Sequence, residues 1–328
     1  MTALAEPLAP AELHHPDLRW RGDQAVLSGA LLALYRRLDA VFARLGVLED
    51  APEVMYPTLI GAEHLARLDY FRSFPHLCTF ACNLDRDADN LKAFARGPGL
   101  DAATGGVALT RLAPVTHVLT PAACYHVYVD RAGETLPGFT TVTTRATCFR
   151  REQYYAPLER QWSFGMREVV GLGTAEEVKA FLERGRARVE RLVDAWGLSI
   201  AWTPATDPFF DASKNPKYLA QKLDPVKTEM VHAGRLAIGS TNFHRNFFGE
   251  MFGIRRAGEP AFSGCVAFGL ERWVRAILDV HGLDPGGWPA LELAAAEVFA
   301  SLSPESPASP GSGRSASRAA ARSLGEFS

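Results

Sequence analysis

CFRREQYYAPLERQWSFGMREVVGLG, residues 148–173, falls into two strand-like runs around a polar turn, with charged and aromatic groups at regular offsets. Side chains on an extended strand alternate between faces, so Arg150 and Glu152 share one face while Phe149 and Arg151 take the other. A guanidinium is a planar fork of donors that pairs with non-bridging phosphate oxygens and offsets charge growing at phosphorus during displacement. Glu152 beside it is suited to accept from an exocyclic amine such as that of adenine. On the second run Phe164 and Glu168 also share a face, offering a flat ring for stacking a base and a carboxylate further along. The spacing predicts a nucleotide-binding β-hairpin. The plainer alternative is an amphipathic hairpin with solvated charges.

Phe149-Arg150-Arg151-Glu152, followed by Arg160, Phe164 and Glu168, resembles motif 2 of class II aminoacyl-tRNA synthetases, most of all the seryl type. Further segments resemble the same family in the same order. Tyr56-Pro57-Thr58-Leu59-Ile60 resembles motif 1, the dimer element. Ala220-Gln221-Lys222 and Ser240-Thr241-Asn242-Phe243 look like seryl-type segments, and Ser263 to Arg272 resembles motif 3, a glycine-bearing strand entering a helix that carries an arginine. The resemblance spans roughly residues 25 to 285. It implies an α+β fold, the class II synthetase catalytic fold, with an antiparallel sheet flanked by helices.

Two departures from the seryl type narrow the expectation. The residues before Pro57 are few and leave no room for the helical arm that grips tRNA in that family. In the slot where the family carries a carboxylate for the substrate's amino group, Leu119-Thr120-Pro121-Ala122-Ala123-Cys124 places a cysteine, and motif 3 begins with Cys265. A thiol cannot pair an ammonium, whereas two thiolates and a carboxylate suit zinc with a fourth position left open. Cys124, Glu168 and Cys265 together resemble the metal site of methanogen-type seryl-tRNA synthetases. They resemble more closely the truncated homologues that lack the arm, the amino acid:carrier-protein ligases, which adenylate a small amino acid and load it on a phosphopantetheine thiol.

The resemblance implies roles as follows. Arg150 holds the α-phosphate of ATP, Glu152 the adenine amine, Phe164 the adenine ring, and Arg272 the γ-phosphate or leaving pyrophosphate; Arg160 also lines the nucleotide site. Cys124, Glu168 and Cys265 hold one zinc ion that reads the amine of glycine or alanine, and Asn242 lines the amino-acid pocket. Magnesium bridges the phosphates, but the family's carboxylate slot falls on Leu236, so Glu229 or Glu250 is the candidate replacement. Partners are ATP, a small amino acid, a phosphopantetheinylated carrier and a second copy of the chain, with neither tRNA nor membrane. Three other readings compete: a tRNA ligase with a separate RNA-binding partner, a non-catalytic regulatory paralogue, and a zinc hydrolase, the last of which lacks a placed general base.

Composition fits this picture. The chain has 328 residues with 47% hydrophobic content, enough for a large core, and its 35 basic and 37 acidic residues leave no excess of positive charge for coating nucleic acid. Five scattered cysteines do not form a disulfide framework and point to reduced thiols in a cytoplasmic protein. Cys78 and Cys82 with His76 form a rival metal pair without the second pair a structural finger needs. His14, His15, His126 and His244 read as surface or core groups.

Along the chain, residues 1–22 read as an irregular lead-in, 23–302 as the catalytic domain, and 303–328, rich in Ser, Pro, Ala and Arg, as a disordered tail. Asp23 to Leu48 repeats apolar residues at helical spacing and predicts a long helix; Val107 to Cys148 predicts antiparallel strands after a glycine-rich loop at Gly97–Gly106. Thr174 to Trp196 predicts a second helix whose outer face carries Arg184, Arg188 and Arg191, a candidate docking face for an acidic carrier.

Overall fold

The computed structural model describes residues 13–211 and 224–302, together with Leu219 and Lys222. Residues 1–12, Ala220, Gln221 and the tail 303–328 lie outside the described residues. Its principal elements are β1 (Leu18–Arg21), β2 (Gln24–Leu27), α1 (Gly29–Val47), β3 (Leu59–Gly61), α2 (Ala88–Arg96), β4 (His117–Leu119), α3 (Tyr125–Asp130), β5 (Thr140–Phe149), β6 (Ser163–Gly173), α4 (Ala175–Ala195), β7 (Ile200–Ala205), β8 (Lys227–His232), β9 (Leu236–Arg245), α5 (Phe247–Phe252), β10 (Phe262–Gly269), α6 (Leu270–His281) and α7 (Leu291–Leu302).

Six strands form one antiparallel sheet in the order β5-β6-β10-β9-β8-β7. The 148–173 hairpin is the β5–β6 pair, with Phe149 opposite Ser163, and the Arg150 N–H extends it by donating to Trp162 O at 2.9 Å. Alternation along the strands sorts side chains between two layers. Val169, Val266 and Phe268 face the main core with the buried sides of α1, α4, α6 and α7; Val170, Cys265 and Ala267 face a second cluster with α3 and α5. Phe42 of α1 stacks on Phe268 at 4.0 Å and meets Trp273 of α6 at 4.9 Å. Each such fully buried large side chain contributes on the order of 1.5–3 kcal/mol. The helical layer braces the sheet from behind. The opposite face, with only short helices over it, is left to build a site.

α4 begins where Thr174 accepts from the Glu177 N–H and Glu177 returns a bond to the Thr174 N–H, a reciprocal cap that fixes the helix start at the residue expected. Its Gly185 lets the helix approach the sheet, since a Cβ there would fall 2.7 Å from Val266 Cγ2. The basic face predicted on this helix is partly committed within the chain: Arg184 and Arg188 both pair with Glu49, itself 7% exposed, and Arg191 donates to Ser301 Oγ, while Arg184 and Arg191 remain exposed. It is an intramolecular ion cluster, not a stripe of three uncommitted cations.

Two expectations are corrected. The helix predicted from Asp23 starts at Gly29, because Leu18–Arg21 and Gln24–Leu27 pair as a hairpin through Gly22, whose φ of 66° is open to glycine without strain. Residues 107–148 are not all strand: Tyr125–Asp130 is a helix, and Cys124 stands at its N-cap.

Candidate active site

On the open face of the sheet lies a cavity of about 470 Å³, lined by Cys124, Arg150, Glu152, Arg160, Phe164, Glu168, Glu229, Asn242, Cys265 and Arg272. The cavity has two chemically distinct ends.

One end is cationic. Arg150 comes from the end of β5, Arg160 from the loop before β6, and Arg272 from the first turn of α6. Arg150 donates through Nε to Pro121 O at 2.9 Å, and its guanidinium is 5.3 Å from the Phe164 ring centre. Arg160 pairs with Glu152 at 2.6 Å and lies over Tyr154, 4.7 Å from the ring centre. Arg272 donates to two backbone carbonyls, Glu159 O at 2.6 Å and Ala237 O at 2.7 Å. Carbonyls orient a guanidinium without neutralising it. Withdrawal from water, then the neighbouring Arg160 and Arg150, push the Arg272 pKa down, the mark of a positive pocket awaiting an anion. Such a pocket suits a polyphosphate.

The other end gathers a set of side chains that could hold a metal ion. Cys124 Sγ, Cys265 Sγ and a Glu168 oxygen lie within 4.8 Å of one another, and all three residues are buried. Glu168 Oε1 accepts from the N–H of Ala123 at 3.1 Å and of Cys124 at 3.4 Å, whereas its Oε2 is buried with no hydrogen-bond partner. The Cys124 thiol pKa is raised first by hydrogen bonding to Cys265, then by burial and the Glu168 charge. An orphaned carboxylate oxygen and two crowded soft donors fit a thiophilic cation such as zinc. Among the described residues no other group of three potential ligands is this close. Cys78 instead donates to Phe74 O, and Cys82 is exposed.

Behind this set is a residue whose role the sequence reading missed. His244 Nε2 lies 3.8 Å from Cys265 Sγ, and its Nδ1 faces Tyr128 OH at 3.1 Å and Ser263 Oγ at 3.2 Å. Desolvation pushes its pKa down to about 4, so the ring is neutral at ordinary pH. Asn242 Nδ2 donates to the same sulfur at 3.2 Å. The signal was available: Asn242 and His244 are two apart on β9 and therefore share a face. Glu229 also lines the cavity, paired with Lys227 at 3.1 Å. Glu250 is exposed on α5, outside the cavity lining, and accepts from Asn246; Leu236 is buried. Of the two carboxylates considered for magnesium, only Glu229 faces the cavity.

No protein-family model matches the chain. Curated relatives do. Amino acid–acyl-carrier-protein ligase 1 of Bradyrhizobium diazoefficiens is 35% identical over 276 residues, 77% of this chain and 83% of the relative. Ligase 2 of the same organism is 36% identical over 262 residues, covering 77% and 76%. The type-2 serine–tRNA ligase of Methanopyrus kandleri is 26% identical over 274 residues, covering 77% of this chain but 51% of that protein. Among solved structures, M. kandleri SerRS, crystallised with A. aeolicus tRNASec, superposes with a TM-score of 0.75 at 21% identity, covering 94% of this chain and 63% of that one. Seryl-tRNA synthetase from Pyrococcus horikoshii complexed with ATP gives a TM-score of 0.58 at 13% identity, covering 84% and 57%. The fold is that of class II aminoacyl-tRNA synthetases.

Proposed function

This chain belongs to the amino acid–acyl-carrier-protein ligases, and from that premise we propose that it activates glycine or alanine with ATP and passes the aminoacyl group to the phosphopantetheine thiol of a carrier protein. The observation that carries this reading is the pairing, in one cavity, of a cationic end formed by Arg150, Arg160 and Arg272 with a buried Cys124–Glu168–Cys265 set.

In the first step the amino acid's carboxylate oxygen attacks the α-phosphorus of ATP; a P–O bond forms and the bond to the leaving pyrophosphate breaks. No general base is required, because the nucleophile is already ionised. Positioning and charge neutralisation therefore supply the acceleration. Arg150 takes the α-phosphate, Arg272 the γ-phosphate or departing pyrophosphate, Phe164 the adenine ring, and Glu152, oriented by Arg160, the adenine amine. In the second step the carrier's thiol sulfur attacks the acyl carbon, forming a thioester and releasing AMP. Cys124, Glu168 and Cys265 would hold zinc, which when bound coordinates the substrate's neutral α-amine and so selects amino acids. Glu229, which lines the cavity, would be the carboxylate that meets magnesium bound with ATP.

A small substrate is part of the proposal. Phe248, which lines the cavity, stacks on Tyr128 at 3.8 Å beside His244, and this aromatic pair is the candidate wall limiting the substrate's side chain. A homodimer is part of the same proposal, supported by apolar exposure in the motif 1 segment, where Met55 is 91% and Leu59 42% exposed; sedimentation equilibrium tests it. The activation step is tested by ATP/pyrophosphate exchange across the amino acids. Exchange confined to small amino acids and lost on zinc removal is expected; undiminished exchange in metal-free protein would refute the zinc part.

A further inference from the structure

The loop between β5 and β6 carries a charge network at the edge of the cavity, next to the cationic end. Glu159, beside Arg160, lines the cavity too, but its carboxylate is committed to arginines other than the three of the cationic end. Its carboxylate pairs with Arg275 at 2.7 Å and Arg235 at 2.9 Å. Arg275, 0% exposed, is tied at 2.7 Å to Asp279 one turn further along α6, and Asp279 also faces His232 at 3.4 Å and Arg235 at 3.5 Å. The carbonyl oxygen of Glu159 accepts the Arg272 Nε–H at 2.6 Å.

Two features show that the loop is held in this arrangement. Leu158, fully buried, adopts φ 59°, a left-handed conformation that costs an ordinary residue on the order of 1–3 kcal/mol and persists only where surroundings enforce it. Ala156 and Arg160 exchange backbone hydrogen bonds at 2.8 and 3.0 Å across it, closing a tight turn. The turn brings the Glu159 carbonyl to Arg272 while its carboxylate meets Arg275 and Arg235.

We propose that Glu159 is a positioning residue: anchored to α6 and to the β8–β9 turn through Arg275 and Arg235, it presents its carbonyl to Arg272 and so fixes the guanidinium that receives the outer phosphates of ATP. This rests on Arg272 contacting those phosphates. The arrangement reconciles two demands. Arg272 needs a rigid acceptor, yet a carboxylate directly on it would cancel its charge. A carbonyl satisfies the first demand, and the nearby carboxylate is occupied by two other cations.

The sign of the effect separates positioning from plain electrostatics. Removing a negative charge near an anion site should by itself tighten ATP binding. Loosening Arg272 should weaken it. We therefore expect Glu159→Gln, titrated calorimetrically as the full-length protein, to bind ATP about tenfold more weakly, the scale of one lost charge-assisted contact. AMP, which lacks the outer phosphates, should bind unchanged. In an Arg272→Ala background the Glu159 change should add nothing. Tighter or unchanged ATP binding, equal weakening of ATP and AMP, or additivity with Arg272→Ala would each overturn the proposal. Unchanged ATP affinity in Arg272→Ala alone would instead sink the phosphate role of Arg272. If Glu159→Gln does not fold, Arg235→Lys, which keeps the charge at a 37% exposed side chain but loses the guanidinium fork that holds Glu159, reads the same question. ATP should then weaken by about threefold with AMP unchanged, and unchanged ATP binding would overturn the proposal.

Discussion

Glu168 and Cys265 lie on neighbouring antiparallel strands, diagonal across a register in which Glu168 faces Ala267 and Val170 faces Cys265. A carboxylate and a thiol thereby share the open face of the sheet, and Cys124, at the start of α3, meets them from above. Replacing Cys124 or Cys265 by Ser should drop zinc content, measured by plasma mass spectrometry on purified protein, from near one per chain to a small fraction. Full zinc occupancy in both variants would contradict the site.

Asn242 and His244 both direct a nitrogen at Cys265 Sγ. Groups that orient a metal ligand from behind typically affect metal affinity by 10–100-fold. Asn242→Ala is expected to weaken zinc binding by about tenfold in competition with a chromophoric chelator, and an unchanged affinity would mean the contact is incidental.

Arg150 has one backbone carbonyl acceptor, Pro121 O, and a ring beside it. Its charge is left for substrate. Arg150→Ala should lower kcat for ATP/pyrophosphate exchange by about 100–1,000-fold, with Arg150→Lys recovering part of the loss. A small effect on kcat with a large rise in KM would place Arg150 in ground-state binding only.

Phe248 is 5% exposed and stacked on Tyr128. Phe248→Ala should relax selectivity toward a larger side chain by about 10–200-fold in kcat/KM and cost about 3–5 kcal/mol of stability. Selectivity that stays put while stability falls would remove Phe248 from the pocket wall.

Glu271 accepts from the Gly165 N–H at 2.9 Å, and desolvation raises its pKa from 4.5 to about 7. A carboxyl with a raised folded pKa holds more protons folded than unfolded between those values, so stability falls as pH climbs from about 4.5 to about 7. The Tm of the parent should accordingly drop more between pH 5 and pH 8 than that of Glu271→Gln. Parallel curves would show that Glu271 titrates normally.

The sequence exposed the parts of this molecule that repeat or alternate. The β5–β6 hairpin, the α4 helix and the facing of Glu168 follow from period alone. The start of α1 did not, because Val26 and Leu27 fit both a helical stripe and an alternating strand, and the left-handed Gly22 and Gly29 decide between them. The α3 helix beside Cys124 was hidden in a β-branched run. Glu159 was illegible for a different reason: its partners, Arg235, Arg272 and Arg275, are distant in sequence and meet it only through the fold.

Transfer of the activated amino acid is the most direct test. Labelled glycine or alanine, activated by the enzyme with ATP, is offered in parallel to phosphopantetheinylated carrier protein, to the same carrier lacking the phosphopantetheine arm, and to tRNA. Label released by base or hydroxylamine from the phosphopantetheinylated carrier alone is the predicted result. Label on tRNA, or on the carrier without its arm, would contradict the assignment.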